Sequence, residues 1–237
     1  MPAVLVHGVP DTHHLWEGVR SHLSRDDIIT PSLPGFGSPT PDAWTATKEE
    51  YLAWLIAEVE KAGEPVDIVG HDWGALLTER LAMVRPDLVR TWAAGGGAIH
   101  EDYVWHDMAR SWQTPGVGET VMQAMSGPAL AAGLTAGGVP AEHAETSTAR
   151  IDDTMKDCIL KLYRSAVNVG KEWGPDTDKM PPGGLLIWGA NDPYMQIEFA
   201  EKMAERAKAQ LLTLDCGHWW PLEKPAEVAA ALEKHWA

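Results

Sequence analysis

Hydrophobic and polar positions along this chain form two kinds of segment that alternate. Short runs rich in Val, Leu and Ile predict buried strands at residues 3–7, 28–30 and 66–69 and in the segments TWAAGG, GLLIWGA and QLLTLD. Longer amphipathic segments predict helices at residues 45–61, 75–84, 198–207 and 225–235. Because strands that alternate with helices form parallel sheets covered on both faces, we expect an α/β fold with a mostly parallel sheet.

The helix predicted at residues 45–61 has the clearest periodicity. Its apolar residues recur at i, i+3, i+4 and i+7 and are Leu52, Leu55, Ile56 and Val59. Either Thr45 or Thr47 can supply the side chain that caps its first turn.

The alternation of strands and helices stops between residues 98 and 183. This part lacks clear strand runs and is interrupted by Gly and Pro in segments such as QTPGVGE and GGVPAE. We therefore predict a helical cap at residues 98–183, inserted between two strands of a core formed by residues 1–97 and 184–237. Right-handed crossovers would bring the carboxyl ends of the core strands to one edge of the sheet, where ligands bind.

Composition and charge narrow the range of partners. The chain has 237 residues, 45% of them hydrophobic, and a formal net charge of −15. This charge disfavours nucleic acid and anionic membrane surfaces as partners. The first residues, MPAVLVHGVP, lack the basic and long apolar regions of a signal peptide, and no apolar run reaches membrane-spanning length. We expect a cytoplasmic protein with two buried, inert cysteines, Cys158 and Cys216.

The segment VDIVGHDWGALL contains the residue with the clearest chemical role. Asp72 lies in a Gly-x-Asp-x-Gly turn between a Val/Ile strand and a helix. In this type of turn a nucleophile projects above the carboxyl edge of the sheet, although the usual residue there is serine. The plain alternative is that Asp72 caps the helix that follows. The surrounding glycines and the preceding strand favour the nucleophile.

Two further residues complete a triad in the chain order nucleophile, acid, histidine. Asp192 follows the strand in LLIWGANDPYM, and His218 follows the strand in LTLDCGHWWP. Both lie in loops at strand ends, so both side chains can converge on Asp72. The alternatives are that Asp192 only forms a turn and that His218 only packs among tryptophans.

The segment HGVP follows the first strand and predicts an oxyanion hole. The backbone N–H groups of Val9 and Trp73 would bind the developing negative charge. Pro10 is a candidate for a cis peptide bond, and His7 fits a structural role better than a catalytic one. His13 and His14 have no third ligand at metal spacing, so we expect no metal site.

The sequence resembles the α/β-hydrolase superfamily and, within it, the epoxide hydrolase and haloalkane dehalogenase branch. The resemblance spans nearly the whole chain and is carried by HGVPDTHHLW, LPGFG, VGHDWGALL, LYRSA, WGANDPYM and CGHWWPLEKPAEV. It implies an α/β-hydrolase fold with a helical cap and no cofactor. The family usually has two more strands before the His-Gly loop, so we expect a sheet that lacks them.

An aspartate nucleophile suits attack on a saturated carbon that bears a leaving group. Such attack forms an alkyl ester, which water activated by a histidine then hydrolyses. Dehalogenases of this branch hold the departing halide with a tryptophan beside the nucleophile and with a second tryptophan or an asparagine. Trp73 fits the first position, but Val9 occupies the usual asparagine position. The candidates for the second donor, which can equally be packing residues, are Trp105, Trp112 and Trp173.

Epoxide hydrolases of this branch protonate the departing alkoxide with two tyrosines of the cap. Tyr163, in the Tyr-Arg pair of LYRSA, matches one of them, unless it only packs on the core. The second would fall near Met108, where this chain has no tyrosine. Tyr103 and His106 are the nearest replacements.

The favoured function is therefore hydrolysis of an epoxide to a vicinal diol through an ester on Asp72. The predicted catalytic residues are Asp72, Asp192, His218 and Tyr163, and the predicted pocket residues are Tyr103, Trp105, His106, Met108 and Trp112. The alternatives are a haloalkane dehalogenase, another activity of this scaffold, and a capped pocket that only binds a small ligand. The expected reactants are a small apolar substrate and water, and the oligomeric state, including a homodimer, stays open.

Overall fold

A computed structural model describes residues 1–237 and contains one six-stranded, all-parallel sheet. The strands are β1 (Ala3–Val6), β2 (Ile28–Ile29), β3 (Val66–His71), β4 (Val89–Gly95), β5 (Leu185–Gly189) and β6 (Gln210–Leu214). Their order across the sheet is β2-β1-β3-β4-β5-β6. The predicted α/β-hydrolase fold with a flanked sheet is confirmed, and the sheet is wholly rather than mostly parallel.

Twelve α-helices accompany the sheet. They are α1 (Glu17–His22), α2 (Lys48–Glu60), α3 (Trp73–Val84), α4 (Asp107–Gln113), α5 (Val117–Ala124), α6 (Gly127–Ala136), α7 (Ala141–Thr148), α8 (Asp153–Ser165), α9 (Val169–Trp173), α10 (Ile197–Ala207), α11 (Trp220–Glu223) and α12 (Pro225–Trp236). Thr47 caps α2, because its hydroxyl accepts a hydrogen bond from the Glu50 N–H at 3.3 Å. Thr45 instead donates to the Glu50 carboxylate at 2.6 Å.

The strand that leads to the predicted nucleophile is longer than its apolar run indicates. We predicted residues 66–69, but β3 continues through Gly70 and His71, which pair with Ala94 and Gly95 of β4. Every residue of β3 is buried. The pairing with β4 therefore fixes the backbone up to the residue before Asp72.

All of the chain between β4 and β5 is helical or irregular. It contains α4 to α9 and no strand, which is the organisation expected of an inserted cap. The buried Lys48 of α2 ties this segment to the rest of the molecule, because its Nζ donates to the Ser165 carbonyl at 3.0 Å. The division into a core of residues 1–97 and 184–237 and a cap of residues 98–183 stays a prediction.

The core is contiguous and rich in indole rings. The largest fully buried side chains include five tryptophans, namely Trp16, Trp73, Trp92, Trp188 and Trp220. Both cysteines are buried and free, as predicted. None of the helices combines the length and the apolar composition that a bilayer crossing requires.

Gly74 permits the start of α3 to approach the end of β1. A Cβ atom at this position would lie 2.2 Å from the Val6 carbonyl oxygen and 2.7 Å from the His7 carbonyl oxygen. We predict that Gly74→Ala lowers the free energy of unfolding by about 2–3 kcal/mol, because two backbone segments must separate to admit the methyl group. Denaturant unfolding followed by tryptophan fluorescence would measure the change.

Gly133→Ala provides the matched control for this substitution. Nothing lies within 4 Å of a Cβ atom built at Gly133, which is on α6. Alanine there should leave stability unchanged or raise it slightly. Equal stability of the two variants would show that the contact at Gly74 does not constrain the fold.

Candidate active site

Asp72 occupies a strained turn between β3 and α3. Its backbone has φ 54° and ψ −120°, a conformation that residues with a side chain rarely adopt. Its side chain makes no capping hydrogen bond to α3, so the helix-cap alternative is not what the structure contains. The turn instead projects the carboxylate above the sheet edge.

The two carboxylate oxygens of Asp72 have different surroundings. Oδ1 accepts a hydrogen bond from the Val9 N–H at 2.6 Å. Oδ2 lies 3.7 Å from Nε2 of His218. Burial raises the pKa of Asp72, while the His218 charge and the backbone N–H groups of Val9 and Trp73 oppose that rise. The peptide bond between Val9 and Pro10 is cis.

His218 lies between Asp72 and Asp192. Its Nδ1 is 2.8 Å from Asp192 Oδ2, and the other Asp192 oxygen accepts from the N–H groups of Tyr194 and Met195 at 2.8 and 3.1 Å. Asp192 thus organises its own turn and contacts the imidazole at the same time. The Asp72 side chain is 17% exposed, against 4% for His218 and 1% for Asp192, so the aspartate at the turn is the member open to solvent.

The charges around His218 determine its protonation state. Burial lowers the pKa of His218, but the nearby carboxylates of Asp192 and Asp72 outweigh burial and raise it to about 9. At neutral pH the resting site therefore holds an imidazolium between two carboxylates. Loss of either negative charge would lower this pKa.

The other histidines near the first strand have structural contacts. His7 accepts from the Leu33 N–H at 3.0 Å through Nε2, and its Nδ1 lies 3.0 Å from the Gly8 carbonyl oxygen. Burial lowers the pKa of His7 to about 4, so the ring is neutral. His13 contacts the hydroxyl of Ser32, and no group of three His, Cys, Asp or Glu side chains is arranged to hold a metal ion.

Two cavities meet at Asp72. The larger, of about 550 Å³, is also lined by Val9 and His218, and the smaller measures about 30 Å³. Four residues line both cavities: Asp72, His106, Tyr163 and Tyr194. Among the predicted pocket residues, Met108 and Trp112 line only the larger cavity, and Tyr103 and Trp105 line only the smaller one.

Tyr163 is a buried phenol in the boundary between the two cavities. Its ring packs edge-on against Trp73 and Trp112, with centroid distances of 5.6 and 4.8 Å. Burial, reinforced by the negative charge of Asp72, holds the pKa of Tyr163 well above its ordinary value. The phenol is therefore protonated and can donate a proton.

The two candidate replacements for the second tyrosine are engaged elsewhere. The Tyr103 hydroxyl donates to the Tyr194 carbonyl at 3.2 Å. His106 caps α4, where its Nδ1 accepts from the Ala109 N–H at 3.3 Å, and burial lowers the pKa of His106 to about 4. The Tyr103 proton is thus already used, whereas the neutral His106 carries its remaining proton on Nε2.

The indole N–H groups of the candidate halide donors differ in availability. Those of Trp73 and Trp112 are buried without a hydrogen-bond partner. The Trp105 N–H donates to the Ala166 carbonyl at 3.2 Å. Trp173 lines neither cavity, and its ring instead lies beneath the charged end of Arg80, 5.5 Å away.

Sequence reasoning missed two residues beside the triad. Tyr194 packs on the His218 ring at a centroid distance of 5.1 Å, and its hydroxyl donates to the Gly137 carbonyl at 2.7 Å. Asp11 accepts from the Trp219 indole N–H at 3.0 Å, and burial raises the pKa of Asp11 to about 7. The only signals in the sequence were their positions: Tyr194 lies two residues after Asp192, and Asp11 directly follows HGVP.

Comparisons with known proteins agree with this geometry at the level of the fold. The sequence profile of the Alpha/beta hydrolase family matches residues 3–231. "Lipase LipV" of Mycobacterium tuberculosis is 28% identical over 250 residues, which cover 96% of this chain and 90% of that protein. "Epoxide hydrolase 2" of Siraitia grosvenorii is 35% identical over 97 residues, which cover 38% of this chain and 30% of that protein.

The solved structure of haloalkane dehalogenase DbeA from Bradyrhizobium elkani is also similar. It superposes with a TM-score of 0.81 at 21% identity and covers 99% of this chain and 90% of that one. The enol-lactonase from Burkholderia xenovorans superposes with a TM-score of 0.80 at 16% identity, with 99% and 91% coverage. Similarity at these identities establishes a shared fold and leaves the reaction open.

We predict that Asp192→Asn lowers the pKa of His218 from about 9, because the substitution removes the carboxylate that most favours the imidazolium. NMR titration of the histidine ring signals would measure it, with the His218 signals assigned by their loss in His218→Phe. Asp215→Asn is the control, since that exposed aspartate lies on the adjacent strand end and does not contact the imidazole. A His218 pKa that is the same in both variants would contradict the charge balance described here.

Proposed function

The chain belongs to the alpha/beta hydrolase family, and on that premise we propose that it hydrolyses epoxides to vicinal diols through a covalent ester on Asp72. One observation carries the proposal: Asp72 Oδ1 is held by the Val9 N–H, while Oδ2 faces His218 across 3.7 Å on the floor of a large cavity. A carboxylate that attacked an acyl ester would form an anhydride. Attack on a saturated carbon forms a stable alkyl ester instead.

In the first step, Asp72 Oδ2 attacks a carbon of the epoxide ring. A new carbon–oxygen bond forms, the ring carbon–oxygen bond breaks, and the electron pair of that bond stays on the departing oxygen. The protonated phenol of Tyr163 donates its proton to this alkoxide. The high pKa of Tyr163 keeps the proton on the phenol until a stronger base appears beside it.

Ester formation prepares the second step by removing the negative charge of Asp72. The pKa of His218 then falls from about 9, and the imidazolium loses its proton. This proton passes to the Tyr163 phenolate, which restores the phenol for the next turnover. His218 Nε2 is then free to act as a general base.

In the second step, His218 removes a proton from a water molecule that attacks the ester carbon of Asp72. The negative charge that develops on Oδ1 is stabilised by the N–H groups of Val9 and Trp73. Collapse of this intermediate breaks the bond between the carboxyl carbon and the alkyl oxygen. The departing alkoxide takes the proton from His218, which gives the diol. The carboxylic acid left at Asp72 then gives its proton to His218 Nε2, which restores both the carboxylate and the resting imidazolium.

A second candidate function is dehalogenation of a haloalkane by the same ester chemistry. The observation that favours it is the buried indole N–H of Trp73, beside the nucleophile, which has no partner and could bind a halide, whereas Trp112, the other candidate donor without a partner, lines only the larger cavity and Trp73 only the smaller one. We rank it second because a hydrocarbon residue, Val9, stands where this branch places its asparagine. Lipase activity is not proposed, since an acyl ester requires a different nucleophile from Asp72.

We predict that His218→Phe stalls hydrolysis and accumulates the ester on Asp72. The variant would be incubated with epoxides and haloalkanes, and its intact mass would be recorded. A gain equal to a whole epoxide supports our proposal, and a gain equal to a haloalkane minus its hydrogen halide supports the second candidate. The double variant His218→Phe, Asp72→Asn is the control and should show neither gain.

Absence of any adduct, together with an inactive wild-type protein, would overturn both ester mechanisms. A protein that only binds a small ligand would then be the better interpretation. In that case tight binding without turnover should survive in Asp72→Asn, because binding does not need the nucleophile.

We predict that Tyr163→Phe lowers kcat for epoxides by about 10²–10⁴-fold, the usual contribution of a positioned general acid. Tyr103→Phe is the matched control, since the Tyr103 hydroxyl donates a hydrogen bond to the Tyr194 carbonyl and should contribute far less to catalysis. Steady-state kinetics with one epoxide would compare them. Equal effects of the two substitutions would exclude Tyr163 as the acid of ring opening.

A further inference from the structure

We propose that the substrate is an uncharged epoxide with one hydrocarbon tail and, on its other side, no substituent larger than a methyl group. The inference rests on the proposed function and deepens it. It follows from the unequal sizes and the different chemistry of the two cavities that meet at Asp72. The large cavity would hold the tail, and the small one would limit the second substituent.

The ionisable side chains of the large cavity lie together at its catalytic end. They are Asp72, His106, Tyr163, Tyr194 and His218. His106 is neutral, and the Tyr194 hydroxyl already donates a hydrogen bond to the Gly137 carbonyl. The reactive group of a substrate therefore meets all of the available acid–base chemistry at this end.

Apart from the indole N–H groups of Trp112 and Trp219, the remainder of the large cavity is built from side chains without nitrogen or oxygen. It is lined by residues of α5, of α6 and of the link between them, such as Val121, Ala124, Met125, Ala129, Leu130 and Leu134. No Lys or Arg lines the cavity, and the chain carries a net charge of −15. A charged tail would lose its hydration without gaining an ion-pair partner from Lys or Arg, and an anionic tail would also be repelled.

The small cavity lies on the other side of the residues that both cavities share. Its volume of about 30 Å³ is enclosed by side chains that include Leu76, Ile99 and Val169. A space of this size holds about two water-sized groups. It admits a hydrogen atom or a methyl group beside the reacting carbon, but not a second chain.

Chain length tests the tail half of the inference. For terminal epoxides from epoxybutane to epoxyoctane, kcat/KM should rise about fourfold per added methylene, the value of full burial of each CH₂. A terminal epoxide of the same length that ends in a carboxylate should fall at least about 100-fold below epoxyoctane. Rates independent of chain length, or equal rates for the carboxylate, would overturn the proposal.

Gly133→Leu locates the tail within the large cavity. Gly133 lines this cavity from α6, and nothing lies within 4 Å of a Cβ atom built there, so leucine enters empty space without displacing backbone. Epoxyoctane should lose about tenfold in kcat/KM relative to epoxybutane, because only the longer tail extends far along this wall. Gly133→Ala controls for the change in helix propensity. Equal losses for both substrates would place the tail elsewhere.

Val169→Ala tests the small cavity. Wild-type protein should accept a methyl group on the second ring carbon. Its kcat/KM should be at least about 100-fold lower for the isomer of epoxyoctane that has a propyl group on each ring carbon than for epoxyoctane itself. Removing the two methyl groups of Val169 should raise the ratio of kcat/KM for an ethyl-substituted epoxide to kcat/KM for epoxyoctane. An unchanged ratio would contradict the assignment.

The mass experiment with His218→Phe separates this inference from the proposed function. If an ester forms with every epoxide at the same rate, the epoxide function stands and the size and charge selection fails. If no epoxide forms an ester, the function itself fails and the selection has no basis.

Discussion

The hydrogen bond from the Val9 N–H to Asp72 Oδ1 is the contact on which the rest of the site depends. It joins the loop after β1 to the turn after β3, and it orients one carboxylate oxygen so that the other faces His218. The strained backbone at Asp72 persists because the buried strand β3 and the tight packing of α3 against β1 leave the turn no alternative path. The stability of the fold and the position of the Asp72 carboxylate are therefore two results of the same packing.

Electrostatics connects the members of the triad as closely as geometry does. Asp72 and Asp192 together raise the pKa of His218 to about 9, and His218 in turn opposes the rise in the pKa of Asp72. The charges of Asp72 and His218 thus influence each other. In the proposed reaction, esterification of Asp72 removes one of these charges, so the first step itself prepares the base for the second.

Residues that lie at strand ends were predictable from the sequence, and residues whose role depends on the cap were not. Asp72, Asp192 and His218 each follow a strand, and a parallel sheet brings such positions to one edge regardless of other detail. The cap helices pack through contacts distant in sequence. No local pattern could indicate that the Trp105 N–H donates a hydrogen bond to the Ala166 carbonyl or that Trp173 lies outside both cavities. Tyr194 was missed for the same reason, since its contacts span the core and the cap.

The contacts of Tyr194 join the Asp192 loop to two segments that lie between β4 and β5. Its N–H contacts Asp192, its ring contacts His218, its hydroxyl contacts Gly137, and its carbonyl accepts from Tyr103. Any movement of the segments that carry Gly137 and Tyr103 away from the sheet must break these bonds or carry the Asp192 loop with it. Both segments are therefore mechanically linked to the residue that orients the imidazole, and a displacement of either would misalign Asp192 and His218.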